Sequence, residues 1–214
     1  GLRMPENFDK PFRSRGMIEF WGRWHMTLSN WFKQYSFIPI LQALMTRWPS
    51  AKAAPALGII TYFVVFMVLG IWHGSTPIFV LYGFVLGLGV SLNKLWQELM
   101  IARIGRKTYR NVCKHLLYVH VARGLTIGYF AIALTAFWFD YSELVALHVR
   151  IGVTGWVFAL VLISAGWAVM TVFLDFLFPE SGARPWQSLL SKTSGVLPYF
   201  NMAAIIYQIG RAHV

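Results

Sequence analysis

The apolar residues of this chain gather in long runs rather than alternating along strands. Residues 56–72 carry no charge and would extend about 25 Å as a helix. Residues 74–77 turn the chain into a second apolar run at 78–96, where Gly83, Gly87 and Gly89 permit close helix contact. A third run, 115–139, is interrupted by Arg123, and a fourth, 151–178, is long enough to cross a bilayer at a tilt. Residues 196–208 read as the start of a fifth, after a polar stretch at 179–194.

Between and before these runs the pattern changes. Residues 17–45 mix aromatic, apolar and basic positions, which predicts an interfacial or re-entrant helix. Phe20, Trp21, Trp24, Leu28, Trp31, Phe32 and Tyr35 recur at spacings of three and four and are expected on one face. Arg23 and Lys33 lie off that stripe, in reach of lipid phosphates or a polar cavity. A break is expected at 49–55, a basic loop at 97–114 and a mixed-charge connection at 140–150. The expected fold class is all-α: a polytopic transmembrane helical bundle with interfacial or re-entrant helices, without an internal repeat.

Composition agrees with lipid as the surrounding solvent: 57% of the 214 residues are hydrophobic and 13% charged, against about 25% charged in soluble domains. The net charge of +11 would suit a nucleic-acid binder if its cations formed one patch. They flank apolar runs instead, at 13–33 and 103–114, as cytoplasmic loops do under the positive-inside rule. Nucleic acid is therefore not an expected partner, whereas membrane lipid is. With that orientation His73, on the turn of the first hairpin, lies towards the outer side. Cys113 is the only cysteine, so a disulfide within the chain and a cysteine-rich metal site are excluded. Residues 1–208 are expected to form one membrane-embedded region of a longer parent whose N-terminal part is missing, and 209–214 to be an adapter-derived artefact.

Two segments carry chemistry that a span does not need for stability. Each places a histidine directly after a tryptophan: Trp24-His25 and Trp72-His73. An ionisable side chain at membrane depth is costly unless it is hydrogen-bonded or faces a wet cavity. An imidazole also suits proton abstraction from a hydroxyl near neutral pH. Three ordered motifs surround the pair: Pro5-Glu6-Asn7-Phe8-Asp9-Lys10-Pro11-Phe12, Phe20-Trp21-Gly22-Arg23-Trp24-His25-Met26-Thr27-Leu28-Ser29-Asn30-Trp31-Phe32, and Gly70-Ile71-Trp72-His73-Gly74. Over about residues 3–96 the chain resembles the membrane-bound O-acyltransferase family, in its bacterial branch of alginate-type O-acetylases and teichoic-acid D-alanyl transferases. Gly22 and Lys33-Gln34-Tyr35 depart from the usual pattern, which bears on substrate identity more than on reaction class.

The resemblance implies the C-terminal portion of that fold, in a multi-pass protein of the bacterial inner membrane. It implies His73 as the catalytic residue, with His25 as the second characteristic histidine, and Trp24, Trp72, Arg23 and Ser29 as substrate-binding or tunnel-lining residues. The implied activity is transfer of an acyl group, acetyl by preference, from a thioester donor to a hydroxyl of an exported polysaccharide or cell-wall polymer, as in alginate biosynthesis. D-alanyl transfer to teichoic acid is the alternative. An acyl-carrier protein and envelope acyltransferases are the expected partners; no bound cofactor and no metal are expected. A transporter or channel with the two histidines as proton relays, and a bis-His haem bundle, are the rivals from other classes. Of the remaining histidines, His115 and His120 are expected at an interface or in the core, His148 in a solvated loop, and His213 in the artefactual end. Arg123 is expected to snorkel or to pair with a carboxylate, Glu19 and Asp175 being candidates.

Overall fold

The computed structural model describes residues 5–178, and every regular element among them is helical. These are α1 (Met17–Arg23), α2 (Met26–Phe32), α3 (Ile38–Arg47), α4 (Ala54–His73), α5 (Pro77–Ile104), α6 (Arg106–Val112), α7 (Leu116–Trp138) and α8 (Tyr141–Leu177). A 3-10 turn, Pro11–Arg13, precedes them, and a π-helical segment, Lys33–Phe37, joins α2 to α3 with right-handed helical backbone at both junctions. Four helices, α4, α5, α7 and α8, are long and apolar enough to cross a membrane. The fold is an all-α polytopic membrane bundle. The chain divides into two units, Gly1–Val169 and Met170–Val214, and the packing described below lies within the first. The expected fifth span and the segment 209–214 lie outside the described residues.

The α4–α5 hairpin is the centre of the first unit, and its glycines are what let two apolar helices come so close. A Cβ on Gly83 would stand 2.7 Å from the Phe66 carbonyl oxygen and 3.0 Å from the Gly70 Cα, so neither position has room for a side chain. Across α5 the Tyr129 hydroxyl of α7 donates to the Val85 carbonyl at 2.6 Å, and the Tyr129 ring lies against Gly89. Gly124 and Gly128 of α7 face Ser164 in the same way. Phe20, Leu86, Val90, Phe130 and Ala133 form a core with almost no exposure, drawn from α1, α5 and α7. Many of the outward residues are apolar, including Val149, Val153 and Phe158, all more than 60% exposed. Such a surface suits lipid rather than water.

Four sequence expectations change. The basic loop at 97–114 is mostly helix, because α5 continues to Ile104 and α6 follows after Gly105. Polarity ends a span without ending a helix: Lys94 pairs with Glu98 at 2.6 Å along one face, and the helix stops where Gly105 adopts a φ of 80°. The connection at 140–150 is also mostly helical. Asp140 Oδ1 accepts from the Glu143 N–H at 2.8 Å and Glu143 Oε2 accepts from the Asp140 N–H at 3.0 Å, a reciprocal cap that starts α8. A bend follows at Gly152, with a φ of 61°. His148 therefore lies on a helix rather than in a loop, and its Nδ1 accepts from the Trp156 indole N–H at 3.2 Å. Finally, the aromatic stripe at 20–35 is not one continuous face. The helix breaks between α1 and α2, leaving Phe20 fully buried while Trp31 and Tyr35 are exposed.

Arg123 is 6% exposed and donates through Nε to the Arg13 carbonyl at 3.0 Å. Glu19, one of its expected partners, instead pairs with Arg23 at 3.0 Å and accepts from the Arg15 backbone N–H at 2.9 Å. Glu19 sits in the first turn of α1, where a carboxylate also favours the helix dipole.

Candidate active site around two histidines

The break that separates α1 from α2 places the first histidine. His25 is the residue between the helices, with φ 45° and ψ 53°, a left-handed conformation that costs a non-glycine residue about 1–2 kcal/mol. Its side chain does not cap α2. The cap comes from 18 positions earlier, where Asn7 reaches the start of α2 with both of its oxygens. The Asn7 carbonyl accepts from the Met26 N–H at 2.9 Å, and its Oδ1 accepts from the Thr27 N–H at 3.1 Å and the Thr27 hydroxyl at 2.9 Å. At about 1 kcal/mol for each such bond, these contacts offset the strain at His25. The same Oδ1 lies 3.3 Å from His25 Nδ1, and the Phe8 ring stands beside the imidazole with centroids 6.0 Å apart.

The second histidine ends a span. His73 is the last residue of α4, followed by Gly74. A side chain at Gly74 would run into the Phe79 ring, so the turn to α5 demands glycine there for space. The His73 ring is half-buried among aromatic walls: Trp72 at 5.0 Å, Phe137 at 5.3 Å, Tyr82 at 5.6 Å and Phe79 at 6.3 Å between centroids. Although 48 positions separate the two histidines in the chain, their motifs meet where Phe32 lies edge to face against Trp72.

The other sequence-predicted site residues take different places. Ser29 donates to the Trp24 carbonyl at 2.9 Å, across the helix break. It also borders a cavity of about 220 Å³ whose walls include Trp21, Phe32, Lys33, Tyr62 and Leu69. This cavity lies one helical turn from each histidine, since Leu69 precedes His73 by four positions and Ser29 follows His25 by four. The imidazoles themselves are not among its walls. Trp72 is 58% exposed beside His73 and meets Phe32 edge to face at 6.1 Å. Trp24 packs between Phe8, Phe12, Phe20 and Phe130, with centroids 5.0–6.0 Å away, so it braces the site rather than bordering the cavity. Arg23 is held by Glu19.

Sequence reasoning gave no role to Asn7 or Asn93, yet both start helices of the site. Asn93, on α5, accepts through Oδ1 from the Ile18 N–H at 3.2 Å and thereby caps α1. Asparagine is a strong capping residue, but that signal is local in a sequence, and here each cap serves a helix far from it along the chain.

Comparison with known proteins bears on the same region. Residues 4–83 match the membrane bound O-acyl transferase family. A teichoic acid D-alanyltransferase of Streptococcus thermophilus is 43% identical over 96 residues, covering 45% of this chain and 23% of that protein. A probable alginate O-acetylase of Pseudomonas fluorescens is 31% identical over 97 residues, or 44% of this chain and 17% of that protein. A peptidoglycan O-acetyltransferase of Helicobacter pylori is 27% identical over 97 residues, or 45% and 17%. The chain thus spans less than a quarter of the length of these relatives. The matched segment contains the Asn7 turn, both Trp-His pairs, α4 and the first turns of α5, and over it the chain is similar to the membrane-bound O-acyltransferase family.

Proposed function

We propose that this chain is the histidine-bearing part of a membrane-embedded O-acyltransferase of the bacterial cytoplasmic membrane. It moves an acyl group from a thioester to a hydroxyl of an exported polysaccharide or cell-wall polymer. The observation that carries this reading is the convergence of the two Trp-His motifs: Phe32 of the first meets Trp72 of the second edge to face at 6.1 Å, and Ser29, Phe32 and Leu69 border one cavity. His73 is the general base. As it takes the hydroxyl proton, the freed oxygen bonds to the thioester carbonyl carbon, the carbon–sulfur bond breaks, and the departing thiolate takes that proton from the imidazolium. No acyl-enzyme is needed. Holding both reactants beside one ring supplies much of the acceleration. An acyl-carrier protein presents the thioester from the inner face, and envelope acyltransferases act on the same polymer.

The acyl group follows from the relatives in two ways. Acetyl transfer agrees with the O-acetylases, at 27–31% identity. A specific observation favours D-alanyl as a second reading: the matches to the teichoic acid D-alanyltransferases of Streptococcus thermophilus and Bacillus subtilis reach 43% and 45% identity. Radiolabelled acetyl and D-alanyl thioesters, offered to the full-length parent protein in membranes, distinguish them. His73→Gln is expected to abolish transfer from either donor while leaving thermal stability within a few degrees. Undiminished turnover by that variant would defeat the assignment of His73 as the general base, whereas absence of transfer from either donor by the unaltered protein would leave the proton-relay reading standing.

A further inference from the structure

The contacts around Asn7 determine more than where α2 begins. Its side-chain atom nearest His25 accepts from the Thr27 N–H, a group that can only donate, so this atom is the amide oxygen and not the nitrogen. An amide oxygen only accepts. The contact at 3.3 Å with His25 Nδ1 therefore requires a proton on Nδ1, and in the neutral ring this leaves Nε2 with a lone pair, directed away from Asn7. The backbone reinforces the choice. With φ at 45°, His25 is held in a conformation it would not adopt unaided, and the bonds from Met26 and Thr27 to Asn7 keep it there.

We propose that Asn7 is a positioning residue that fixes His25 as the Nδ1–H tautomer, so that His25 enters the site as a hydrogen-bond acceptor through Nε2. This inference rests on the acyl-transfer reading above and narrows it. A neutral His25 in this tautomer cannot donate to the oxyanion formed on the thioester carbonyl. It accepts instead, from the polymer hydroxyl or from the ring N–H of His73, and so orients the group that is to lose its proton. Asn7 acts through His25 and does not itself touch the reacting atoms.

The test reads the tautomer directly. The full chain, labelled with 15N-histidine and reconstituted in nanodiscs at about pH 8.5, gives long-range proton–nitrogen correlations that report which ring nitrogen carries the proton. His25→Gln identifies the His25 signals among the six histidines. The expected wild-type pattern is Nδ1–H. Asn7→Ala should shift His25 to the Nε2–H form that exposed histidines prefer, whereas Asn7→Asp, which keeps an acceptor at the same place, should retain Nδ1–H. Thr27→Val removes one capping bond but not the acceptor, and should also retain it, which separates tautomer control from helix capping. In the parent protein, Asn7→Ala should lower kcat about tenfold or more with little change in KM for the thioester. A wild-type His25 protonated on Nε2, or an Asn7→Ala variant with an unchanged His25 pattern, overturns the proposal. Should Asn7→Ala not fold, the wild-type, Asn7→Asp and Thr27→Val spectra decide it. The tautomer readout needs no turnover, so a parent protein that transfers neither acyl group would refute the acyl-transfer reading while leaving the Asn7–His25 result to be judged on its own.

Discussion

Replacing Gly70 by alanine tests whether the hairpin's closeness positions His73. A Cβ at Gly70 would stand 2.7 Å from the Gly83 nitrogen, with the Gly83 Cα and the Phe79 carbonyl oxygen nearer still. Carbon atoms in good contact are about 3.5–4.0 Å apart. The neighbours are backbone and cannot rotate away, so α5 must retreat by about 1 Å. Overpacking of this kind costs about 1–3 kcal/mol, partly offset by alanine's advantage over glycine in a helix, about 1 kcal/mol. A net loss of about 1.5 kcal/mol would lower the melting temperature by about 3–6 °C. His73 is three residues further on, and a 1 Å displacement of a catalytic group can cost about 100-fold in rate. The control is Gly58→Ala on the same helix, where a Cβ meets nothing within 4 Å. That change should be neutral or slightly stabilising. Tryptophan-fluorescence melting in detergent, with acyl transfer by the parent protein, measures both effects. Equal melting temperatures and equal activities for the two variants would refute the claim that α4 and α5 touch at Gly70.

Two further outcomes follow from side chains that tie the first unit together. Arg123→Met keeps the buried stem but leaves the Arg13 carbonyl without its donor, and should cost about 1–3 kcal/mol; hydrogen exchange should accelerate at the Arg13 and Ser14 amides before any change in α4. Asp140 is held below the usual carboxylate range by the Ser142 hydroxyl and then by the Glu143 N–H. A depressed value means that the cap is present at neutral pH and is lost as pH falls through the folded-state value, so exchange at the first amides of α8 should rise only below about pH 4. In Asp140→Ala that exchange should be fast at every pH.

The spans were legible because length and the absence of charge are properties of contiguous sequence. Residues 56–72 and α4 agree closely, and the glycines mark two packed faces of α5, Gly83 and Gly87 the one against α4 and Gly89 the one against α7. What was not legible depends on partners distant along the chain. Nothing near Trp24-His25 announces that the helix restarts there, because the group that restarts it is Asn7. Nothing near Arg123 announces that one of its acceptors is a backbone carbonyl 110 positions away. The continuation of α5 past Trp96 is hidden for a different reason: the limit of an apolar run marks the edge of a span and not the end of a helix. At the site, the motifs singled out both histidines, but a motif does not specify which residues of the two segments meet; the Phe32–Trp72 contact is a property of the fold.

The borrowed caps also impose an order of assembly. The amide of Ile18 finds its acceptor on α5, so α1 has no settled beginning until the hairpin is in place within the bilayer. Short surface helices lacking a docked neighbour are marginal in water. The membrane-crossing pair is therefore the template, and the amphipathic segment bearing His25 anneals onto it afterwards. Insertion becomes a checkpoint: until the hairpin has entered the lipid, the segment bearing His25 has no acceptor at Asn93 on which to start its first helix.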